Sequence, residues 1–362
     1  MKTTAAILHD PHGELFLESV TLDNPRDDEV IVKIEACGIC QLDIEARKML
    51  PTPSVFGHEG VGVVLEVGSA VRGFHPGQRV IVSYAWCGTC PKCEQHQAYI
   101  CDKSWEINFG GSRLDGSATL FQDDKPLSAS FFQQSSFARH ILTTERNLVT
   151  VTGDTPTEYL AALPCGVMTG AGIVINTLDV QPSKSLVIFG AGTVGLSAVM
   201  AARIVGAKSI VAVDVVESRL ALARELGATH CFNAQEVNIK EVLESHFPSG
   251  LSYAIETSAK AQSFTAAIDC IETGGKIAIS SLPHPMEEFS FKPFNLYEKA
   301  ASLHAISMGS AIAAEFIPQL LKWQREGNFP FEKLITCYDF QDINRACADM
   351  RSGKTIKAVL KM

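Results

Sequence analysis

The feature that most constrains the fold of this chain is a strand, a glycine-rich turn and a helix in direct succession. Residues 185–189 form a short apolar strand pattern, and residues 193–205 are rich in Ala, Val and Leu, as in a helix. At their junction, residues 190–195 are Gly-Ala-Gly-Thr-Val-Gly. A Gly-x-Gly-x-x-Gly pattern alone is a weak signal, but between a strand and a helix it predicts a βαβ unit that binds a dinucleotide.

Each glycine of this turn has a predicted role. Gly190 permits the tight turn, Gly192 lets a pyrophosphate approach the backbone, and Gly195 allows close packing of the helix on the strand. Thr193 and Val194 open the helix, whose unpaired N–H groups are expected to face the phosphates. The alternative is a glycine turn with a purely structural role.

Asp214 ends the next predicted strand, residues 209–213. A carboxylate there can accept hydrogen bonds from both hydroxyls of the adenosine ribose, and it would repel a 2′-phosphate. This favours NAD over NADP. Arg219, one turn into the following helix, is an argument for NADP, because its side chain can lie near the ribose. An ordinary exposed aspartate is the alternative for Asp214.

The pattern of the chain changes near residue 160. Beyond residue 185, short apolar strands alternate with helices, which predicts a parallel sheet covered on both faces. Earlier strand patterns, such as residues 30–36, 60–67 and 137–143, are separated by Gly and Pro, as in a compact barrel-like β domain. The last part of the chain is less regular again, so we expect it to return to the first domain.

A run of cysteines is the second strong local signal. Cys87, Cys90, Cys93 and Cys101 lie in one polar loop that contains Gly and Pro. Four thiolates at this spacing can close on one tetrahedral zinc ion and leave no position for water or substrate, which predicts a structural site. Two disulfides, an iron–sulfur cluster or unrelated buried cysteines are the alternatives, and the iron–sulfur cluster is the strongest of them.

Composition excludes some classes of function. The chain has 362 residues, enough for two domains, and a formal net charge of −9. Without a Lys/Arg-rich run it is not expected to bind nucleic acid. The N-terminus lacks a signal-peptide pattern, and no apolar run approaches the ~20 residues of a membrane helix. The 11 cysteines then favour a reducing compartment, so we expect a cytoplasmic protein.

Three segments that are far apart in the sequence contain a second set of candidate metal ligands. They are residues 37–43 (Cys-Gly-Ile-Cys-Gln-Leu-Asp), residues 57–60 (Gly-His-Glu-Gly) and residues 164–170 (Pro-Cys-Gly-Val-Met-Thr-Gly). Spacing alone could not select metal ligands among them. Together with the cysteine run and the glycine pattern, in this order, they make the whole chain resemble the zinc-dependent alcohol dehydrogenases of the medium-chain dehydrogenase/reductase superfamily.

The resemblance implies an α/β fold with two domains. A Rossmann doubly wound parallel sheet, residues 167–309, would be inserted in a GroES-like β-barrel catalytic domain, residues 1–166 and 310–362, with a structural zinc lobe at residues 87–101. It also implies two zinc ions per subunit, NAD, a small-molecule alcohol or aldehyde as substrate, and a homodimer or homotetramer.

The resemblance also assigns the residues of the metal site. Cys40, His58 and Cys165 match the ligands of the catalytic zinc. Asp43 matches the carboxylate that orients the histidine. Glu59 matches a residue beside the ligand histidine that can approach the metal during ligand exchange.

Two matches concern the cofactor. Thr169 matches a residue that lines the nicotinamide pocket, and Lys357 matches a basic residue near the pyrophosphate. Cys37 is not needed by the family pattern. We interpret it as buried packing, although it could form a redox dithiol with Cys40.

The chain departs from the family at neighbouring positions. Leu42 stands where these dehydrogenases carry a Ser or Thr that passes the alcohol proton toward solvent. Glu45 stands where one branch has a relay His, and Gln41 where it often has a basic residue or His. Either a zinc-bound water, Glu45 or the ribose hydroxyl carries the proton, or the enzyme is a reductase of a conjugated alkene, iminium or carbonyl compound that needs no relay.

The C-terminal sequence narrows the expected substrate. Residues 316–320 (Phe-Ile-Pro-Gln-Leu) and 327–335 (Gly-Asn-Phe-Pro-Phe-Glu-Lys-Leu-Ile) are similar to the aryl and allylic alcohol dehydrogenases, of the benzyl or geraniol type. We therefore expect oxidation of a primary aromatic or allylic alcohol to its aldehyde, and the reverse reduction. A catalytically silent paralogue that senses NAD is the alternative from another class.

Some residues are expected to line an apolar cavity, although core packing explains each of them equally well. They are Phe56, Trp86, Phe109 and Leu282.

Overall fold

The computed structural model describes residues 1–280 and 288–362. The chain forms two compact units, each built from separate stretches of sequence. The first unit comprises Met1–Cys165, Ile312–Gln319 and Glu332–Met362, and the second comprises Gly166–Ala311 and Leu320–Phe331. The domain limits expected from the sequence, at residues 166 and 310, stay a prediction.

The first unit begins with strands that are joined by turns and short helices. Its strands before residue 166 are β1 (Lys2–Leu8), β2 (Leu15–Leu22), β3 (Glu29–Gly38), β4 (Ser54–Val55), β5 (Gly60–Val67), β6 (Arg79–Val82), β7 (Leu120–Gln122), β8 (Lys125–Pro126), β9 (His140–Thr144) and β10 (Leu148–Thr150). Its helices over the same stretch are α1 (Gln41–Glu45), α2 (Pro91–Glu94), α3 (Ser104–Phe109) and α4 (Thr157–Leu160).

Strands and helices alternate from residue 166 onward. The strands up to residue 311 are β11 (Ser185–Phe189), β12 (Ser209–Asp214), β13 (His230–Asn233), β14 (Leu251–Glu256), β15 (Ile271–Ile279) and β16 (Ser302–Ala305). The helices are α5 (Met168–Gly172), α6 (Thr193–Ile204), α7 (Glu217–Leu226), α8 (Ile239–His246), α9 (Ala261–Asp269) and α10 (Pro293–Glu298). The chain ends with α11 (Ala313–Arg325), β17 (Ile335–Asp339), α12 (Ile343–Arg351) and β18 (Lys357–Lys361).

The strands of the first unit belong to two sheets. One has the order β4-β1-β2-β7-β8, and the other has the order β10-β6-β5-β3-β18-β17, with β9 also paired to β3. β3 is apolar and buried along most of its length, and β5 and β18 lie antiparallel to it. The end of the chain therefore pairs with a strand from its beginning.

The second unit contains a parallel sheet. Among the residues that the structure describes, its strand order is β13-β12-β11-β14-β15-β16. Its central strands are apolar on both faces because helices cover both faces of a parallel sheet, and Val187, Phe189, Val211 and Ala254 are buried in one core cluster with Phe264 of α9. β12 and β14 lie on opposite sides of β11, so the turn after β11 is at the switch point where such sheets bind ligands.

Candidate active site and metal centres

Dispersed side chains converge in the first unit. Cys40 caps the amino end of α1, His58 lies between β4 and β5, and Cys165 lies in a π-helical turn, Leu163–Val167. The sulfurs of Cys40 and Cys165 are 3.7 Å apart, and Nε2 of His58 is 3.2 Å from the Cys165 sulfur. With a carboxylate oxygen of Glu59, these ligand atoms all lie within 4.8 Å of one another. Two thiolates and one imidazole suit zinc and leave its fourth position open.

Asp43 orients this cluster. Its buried carboxylate accepts a hydrogen bond from Nδ1 of His58 at 2.8 Å. It also accepts from the backbone N–H groups of Gly57, at 3.1 Å, and Cys40, at 2.9 Å. When the imidazole is neutral, its proton is thereby held on Nδ1, and Nε2 faces the two sulfurs with a free lone pair.

The electrostatics of the cluster favour a cation. Burial lowers the pKa of the His58 imidazole, but the charge and hydrogen bond of Asp43 together with those of Cys40 outweigh it, and the pKa lies well above its usual value. A hydrogen bond with the Cys165 thiol holds the pKa of the Cys40 thiol well below its usual value. A divalent cation can replace the protons of such ligands and balance their charge. The residues present therefore fit a zinc ion.

Glu59 and Lys357 form a buried ion pair beside the cluster. Nζ of Lys357 also donates to the carbonyl of Ile39 at 3.0 Å. Burial raises the pKa of Glu59 to about 7, although the lysine opposes it. The glutamate fills the space beside Gly38, where any side chain would collide with it. Glu59 is thus placed among the potential ligand atoms, while a position of Lys357 near the pyrophosphate stays a prediction.

Two residues that belong to no sequence motif contact His58, one at its ring and one at its backbone. Phe132 stacks on its imidazole, with ring centroids 4.6 Å apart and planes at 26°. The buried side chain of Gln134 donates to the carbonyls of His58 and Ser83 and accepts from the N–H of Gly60, each at 3.1 Å. The backbone is therefore fixed on both sides of the histidine. Only the folded chain reveals these two residues, because neither lies at a recognisable spacing from His58.

The residues expected to line an apolar cavity have different surroundings. Phe56 is fully buried in the core, and Trp86 packs against the cysteine cluster of the lobe. Phe109 meets Phe132 edge-on, with ring centroids 5.4 Å apart and planes at 67°. Leu282 lies outside the described residues. Phe109 and Phe56 each reach the ring of His58 through one intervening phenylalanine, Phe132 for Phe109 and Phe131 for Phe56.

The cysteine run forms a second cluster around α2. Its sulfurs all lie within 4.8 Å of one another and belong to Cys87, Cys90, Cys93 and Cys101. Backbone N–H groups of Thr89 and Asp102 point at the sulfurs of Cys87 and Cys90, each at 3.5 Å. No cysteine within the described ranges forms a disulfide. Four convergent sulfurs that receive N–H donors fit a tetrahedral zinc site with no open position.

The glycine turn after β11 has no room for a side chain at Gly190 or Gly195. Gly190 has φ of 95°, and a Cβ there would lie 2.6 Å from the Thr257 hydroxyl oxygen. That hydroxyl donates to the carbonyls of Phe189, at 2.9 Å, and Gly190, at 3.0 Å. A side chain at Gly195 would collide with the carbonyl of Gly190, whereas the space beside Gly192 is open. An open cradle at Gly192 is what an approaching pyrophosphate requires.

The carboxylate of Asp214 lies against this turn. One oxygen accepts from the N–H of Ala191 at 2.6 Å, and the other accepts from the N–H groups of Val215, at 2.7 Å, and Val216, at 2.9 Å. Nε of Arg219, in the first turn of α7, is buried and has no hydrogen-bond partner among the described residues. Backbone N–H groups thus already fix the carboxylate that is predicted to contact the ribose.

The helix after the turn places the remaining cofactor residues. Thr193 and Val194 form the first turn of α6, and Gly192 is its N-cap. Thr169 is buried in α5, next to Gly170, where a side chain would collide with the carbonyl of Val194. α5 and α6 therefore pack closely, and Thr169 lies beside the predicted dinucleotide site within the second unit.

Two family models match the chain. The alcohol dehydrogenase GroES-like domain matches residues 26–152, and the zinc-binding dehydrogenase domain matches residues 193–325. A geraniol dehydrogenase of Castellaniella defragrans is 39% identical over 360 residues, which are 98% of this chain and 96% of that relative. The chain belongs to the zinc-dependent alcohol dehydrogenases of the medium-chain dehydrogenase/reductase superfamily.

Solved structures of similar proteins share the fold of this alcohol dehydrogenase. Benzyl alcohol dehydrogenase from Acinetobacter calcoaceticus has a TM-score of 0.96 and 36% identity, covering 100% of this chain and 99% of that one. An alcohol dehydrogenase zinc-binding domain protein from Burkholderia ambifaria has a TM-score of 0.96 and 38% identity, with the same coverage. The predicted combination of a Rossmann sheet with a GroES-like domain is confirmed.

Membership of the family establishes an oxidoreductase that acts on a small-molecule alcohol. Zinc and NAD are its cofactors, and both cysteine-containing clusters of the alcohol dehydrogenase fit zinc. In the described parts of the chain, no helix is long and apolar enough to cross a membrane.

Proposed function

We propose that this alcohol dehydrogenase oxidises a primary aromatic or allylic alcohol to its aldehyde with NAD, and catalyses the reverse reduction. The observation that carries the proposal is the convergence of Cys40, His58 and Cys165 beside the rings of Phe132 and Phe109. Apolar rings next to a metal cluster suit a substrate with a flat apolar body beside its hydroxyl group. Similarity to proteins named geraniol dehydrogenase and benzyl alcohol dehydrogenase supports this class of substrate.

The residues of the first unit would position the metal and the substrate, and they would supply charge. When bound, zinc supplies Lewis acidity toward the alcohol oxygen, and NAD accepts the hydride. Cys40, His58 and Cys165 would hold the metal, and Asp43 fixes the imidazole through its hydrogen bond to Nδ1. Phe132 covers one face of the imidazole and excludes water there. The second set of sulfurs, at Cys87, Cys90, Cys93 and Cys101, would hold a structural zinc.

A preference for NAD over NADP is also proposed. Three backbone N–H groups fix the Asp214 carboxylate next to the glycine turn. A fixed negative charge at this place repels a 2′-phosphate. Arg219 would favour the phosphate, since its Nε has no partner in the described structure, but it does not remove the charge of Asp214. We expect the carboxylate to dominate.

The proton of the alcohol needs a route that avoids position 42. Leu42 is half-buried and has no exchangeable proton. Glu45 is exposed on the same helix and accepts a hydrogen bond from Gln41 at 2.6 Å. Glu45 or the ribose hydroxyl groups of NAD are the proposed acceptors. Leu42 also favours a second candidate function, reduction of a conjugated alkene, iminium or carbonyl compound, because such a reaction needs no relay at this place.

Steady-state oxidation of benzyl alcohol, cinnamyl alcohol and geraniol tests the proposal. We expect NADH to form with all three and little product with NADP. No turnover with any of them, at neutral or alkaline pH, would reject it. Leu42→Thr separates the two functions: in a reductase the new hydroxyl should create or raise alcohol oxidation, whereas high oxidation that the substitution leaves unchanged supports the dehydrogenase.

We also propose that the dehydrogenase is a cytoplasmic homodimer or a homotetramer built from dimers. β16 ends the strand order of the parallel sheet within the described residues. Phe294 and Tyr297 of α10 and Leu303 of β16 are exposed apolar residues near this edge. An apolar sheet edge of this kind is typical of a subunit contact. Sedimentation equilibrium at micromolar concentration should give two or four subunits, and a monomer would contradict the proposal.

A further inference from the structure

Two of the proposed metal ligands come from distant segments that no strand joins directly. Nε2 of His58 lies 3.2 Å from the sulfur of Cys165, although the two residues are 107 positions apart in the sequence. His58 lies between β4 and β5, and Cys165 lies in a π-helical turn, so neither belongs to a strand. A metal site tolerates only about 0.2 Å of variation in its ligand distances. Contacts outside the strand ladders must therefore hold these two segments in place.

Gln134 holds the backbone on the histidine side. Its side chain is buried, and its Nε2 donates to the carbonyls of His58 and Ser83, each at 3.1 Å. Its Oε1 accepts from the N–H of Gly60, also at 3.1 Å. The reversed amide would set an NH2 group against the N–H of Gly60, so the orientation of the side chain is defined. One amide thus connects the backbone of a metal ligand with the residue that follows β6.

Ser83 continues the connection to the other ligand. Its buried hydroxyl donates to the carbonyl of Pro164 at 3.2 Å, and Pro164 directly precedes Cys165. Its carbonyl is the one that accepts from Gln134. Two buried side chains therefore form an uninterrupted series of hydrogen bonds from the backbone of His58 to the backbone beside Cys165.

Asn147 connects the same serine with the ring that covers the histidine. The carbonyl of Asn147 accepts from the N–H of Ser83 at 2.8 Å, and its Nδ2 donates to the carbonyl of Phe132 at 3.2 Å. The Phe132 ring is the one that stacks on His58. The ring and the backbone of the histidine are thus held by one buried network, and a satisfied network of this kind is rigid.

We propose that Gln134 and Ser83 act together as positioning residues that set the distance between His58 and Cys165, and with it the affinity and geometry of the catalytic metal site. The inference rests on the proposed function, which places a metal at these ligands. Asp43 orients the imidazole ring, whereas Gln134 and Ser83 act on the backbone. Without their hydrogen bonds, buried carbonyl and N–H groups lose their partners, and the two segments move to find others.

Cobalt in place of the catalytic zinc tests the network, because the visible d–d bands of bound Co²⁺ report the ligand geometry. The cluster of Cys87, Cys90, Cys93 and Cys101 keeps its zinc and serves as the internal control. Gln134→Met keeps the length of the side chain without its hydrogen bonds, and it should lower the Co²⁺ affinity of the catalytic cluster about 10- to 100-fold. Ser83→Ala removes a single hydroxyl and should lower the affinity about three- to tenfold. The d–d bands should shift in both variants.

Tyr338→Phe is the matched control. It removes a buried hydroxyl that is hydrogen-bonded to Asp349 and Thr355, and it should leave the Co²⁺ affinity and the bands unchanged. A purely structural role for Gln134 and Ser83 would lower the thermal unfolding midpoint without moving the bands, and that result would overturn the proposal. If Gln134→Met does not fold, Ser83→Ala decides alone.

The double variant Gln134→Met/Ser83→Ala tests whether the two residues act together. Its loss of affinity should be smaller than the product of the two single losses, because either substitution already breaks the series, and independent losses would contradict a shared role. Shifted bands in a protein that oxidises no alcohol would uphold the inference and reject the proposed function. Unchanged affinity and bands in variants of an active parent would do the reverse. A parent whose Co²⁺ spectrum ignores Cys165→Ser would refute both.

Discussion

Lys357 and Glu59 form an ion pair in which the lysine side chain is 1% and the glutamate side chain 0% exposed. Two buried charges compensate each other only while both are present, because neither can reach water. The pair lies beside Cys40 and His58, so its loss would leave an unbalanced charge next to the proposed metal site.

Lys357→Met should lower the free energy of unfolding by about 3–5 kcal/mol, since Glu59 would stay buried without a partner. Urea denaturation measures the change. The control is Lys354→Met, which breaks a pair with Asp349 in which the lysine side chain is 71% exposed, and it should cost less than about 1 kcal/mol. Similar costs for the two substitutions would show that burial does not govern the Lys357 pair.

Asp43→Asn should weaken zinc binding at the catalytic cluster about 10- to 100-fold, because the negative charge behind His58 is lost while the shape is kept. Competition with a chromogenic chelator measures the affinity. Glu45→Gln removes a carboxylate from the exposed face of the same helix and should leave the affinity unchanged. Equal affinity in Asp43→Asn and the parent would argue against an orienting role for Asp43.

Cys93→Ser should reduce the zinc content from two ions per chain to one, because three sulfurs no longer complete a tetrahedral site. Elemental analysis of the purified protein gives the count. Cys337→Ser, at an exposed cysteine outside both clusters, should retain both ions. A parent protein with a single zinc would contradict the two-site proposal and favour a silent paralogue.

Asp214→Asn should reduce the preference for NAD over NADP at least about tenfold, because a like charge no longer opposes the 2′-phosphate. The ratio of kcat/KM for the two cofactors measures it. Asparagine keeps only one of the two acceptor oxygens, so its NH2 group would face either the N–H of Ala191 or those of Val215 and Val216. Circular dichroism of the variant should therefore match that of the parent before the ratio is compared. Glu217→Gln, an exposed carboxylate in the first turn of α7, serves as the control for a general charge effect. An unchanged ratio in Asp214→Asn would assign cofactor choice to other residues.

Elements governed by local pattern could be predicted closely from the sequence. The apolar run at residues 185–189 matches β11, and the helix expected at residues 193–205 matches α6, which ends one residue earlier. Residues 137–143 are less well predicted, since β9 covers His140–Thr144. Ala138 bridges to Ala5 of β1, whereas His140 pairs with Lys33 of β3. The chain changes its pairing partner there, and a distant partner leaves no mark on local periodicity.

The two metal clusters also differ in how far the sequence alone could predict them. The cysteine run from Cys87 to Cys101 is nearly local, so its spacing alone predicts that the sulfurs can meet. The segments of Cys40 and His58 meet because Cys37 of β3 pairs with Gly60 of β5, and Cys165 arrives from a distant turn. Spacing could not select these ligands, and only the resemblance to a family pointed to them.

The amino-acid sequence by itself determined the alternating second unit, the glycine turn and the cysteine lobe, because hydrogen bonds and burial between near neighbours define them. Only the tertiary structure decided that Phe132 stacks on His58, that Lys357 pairs with Glu59, and that Gln134 donates to the carbonyl of His58. Such contacts depend on how distant segments pack, and packing is a property of the whole folded chain.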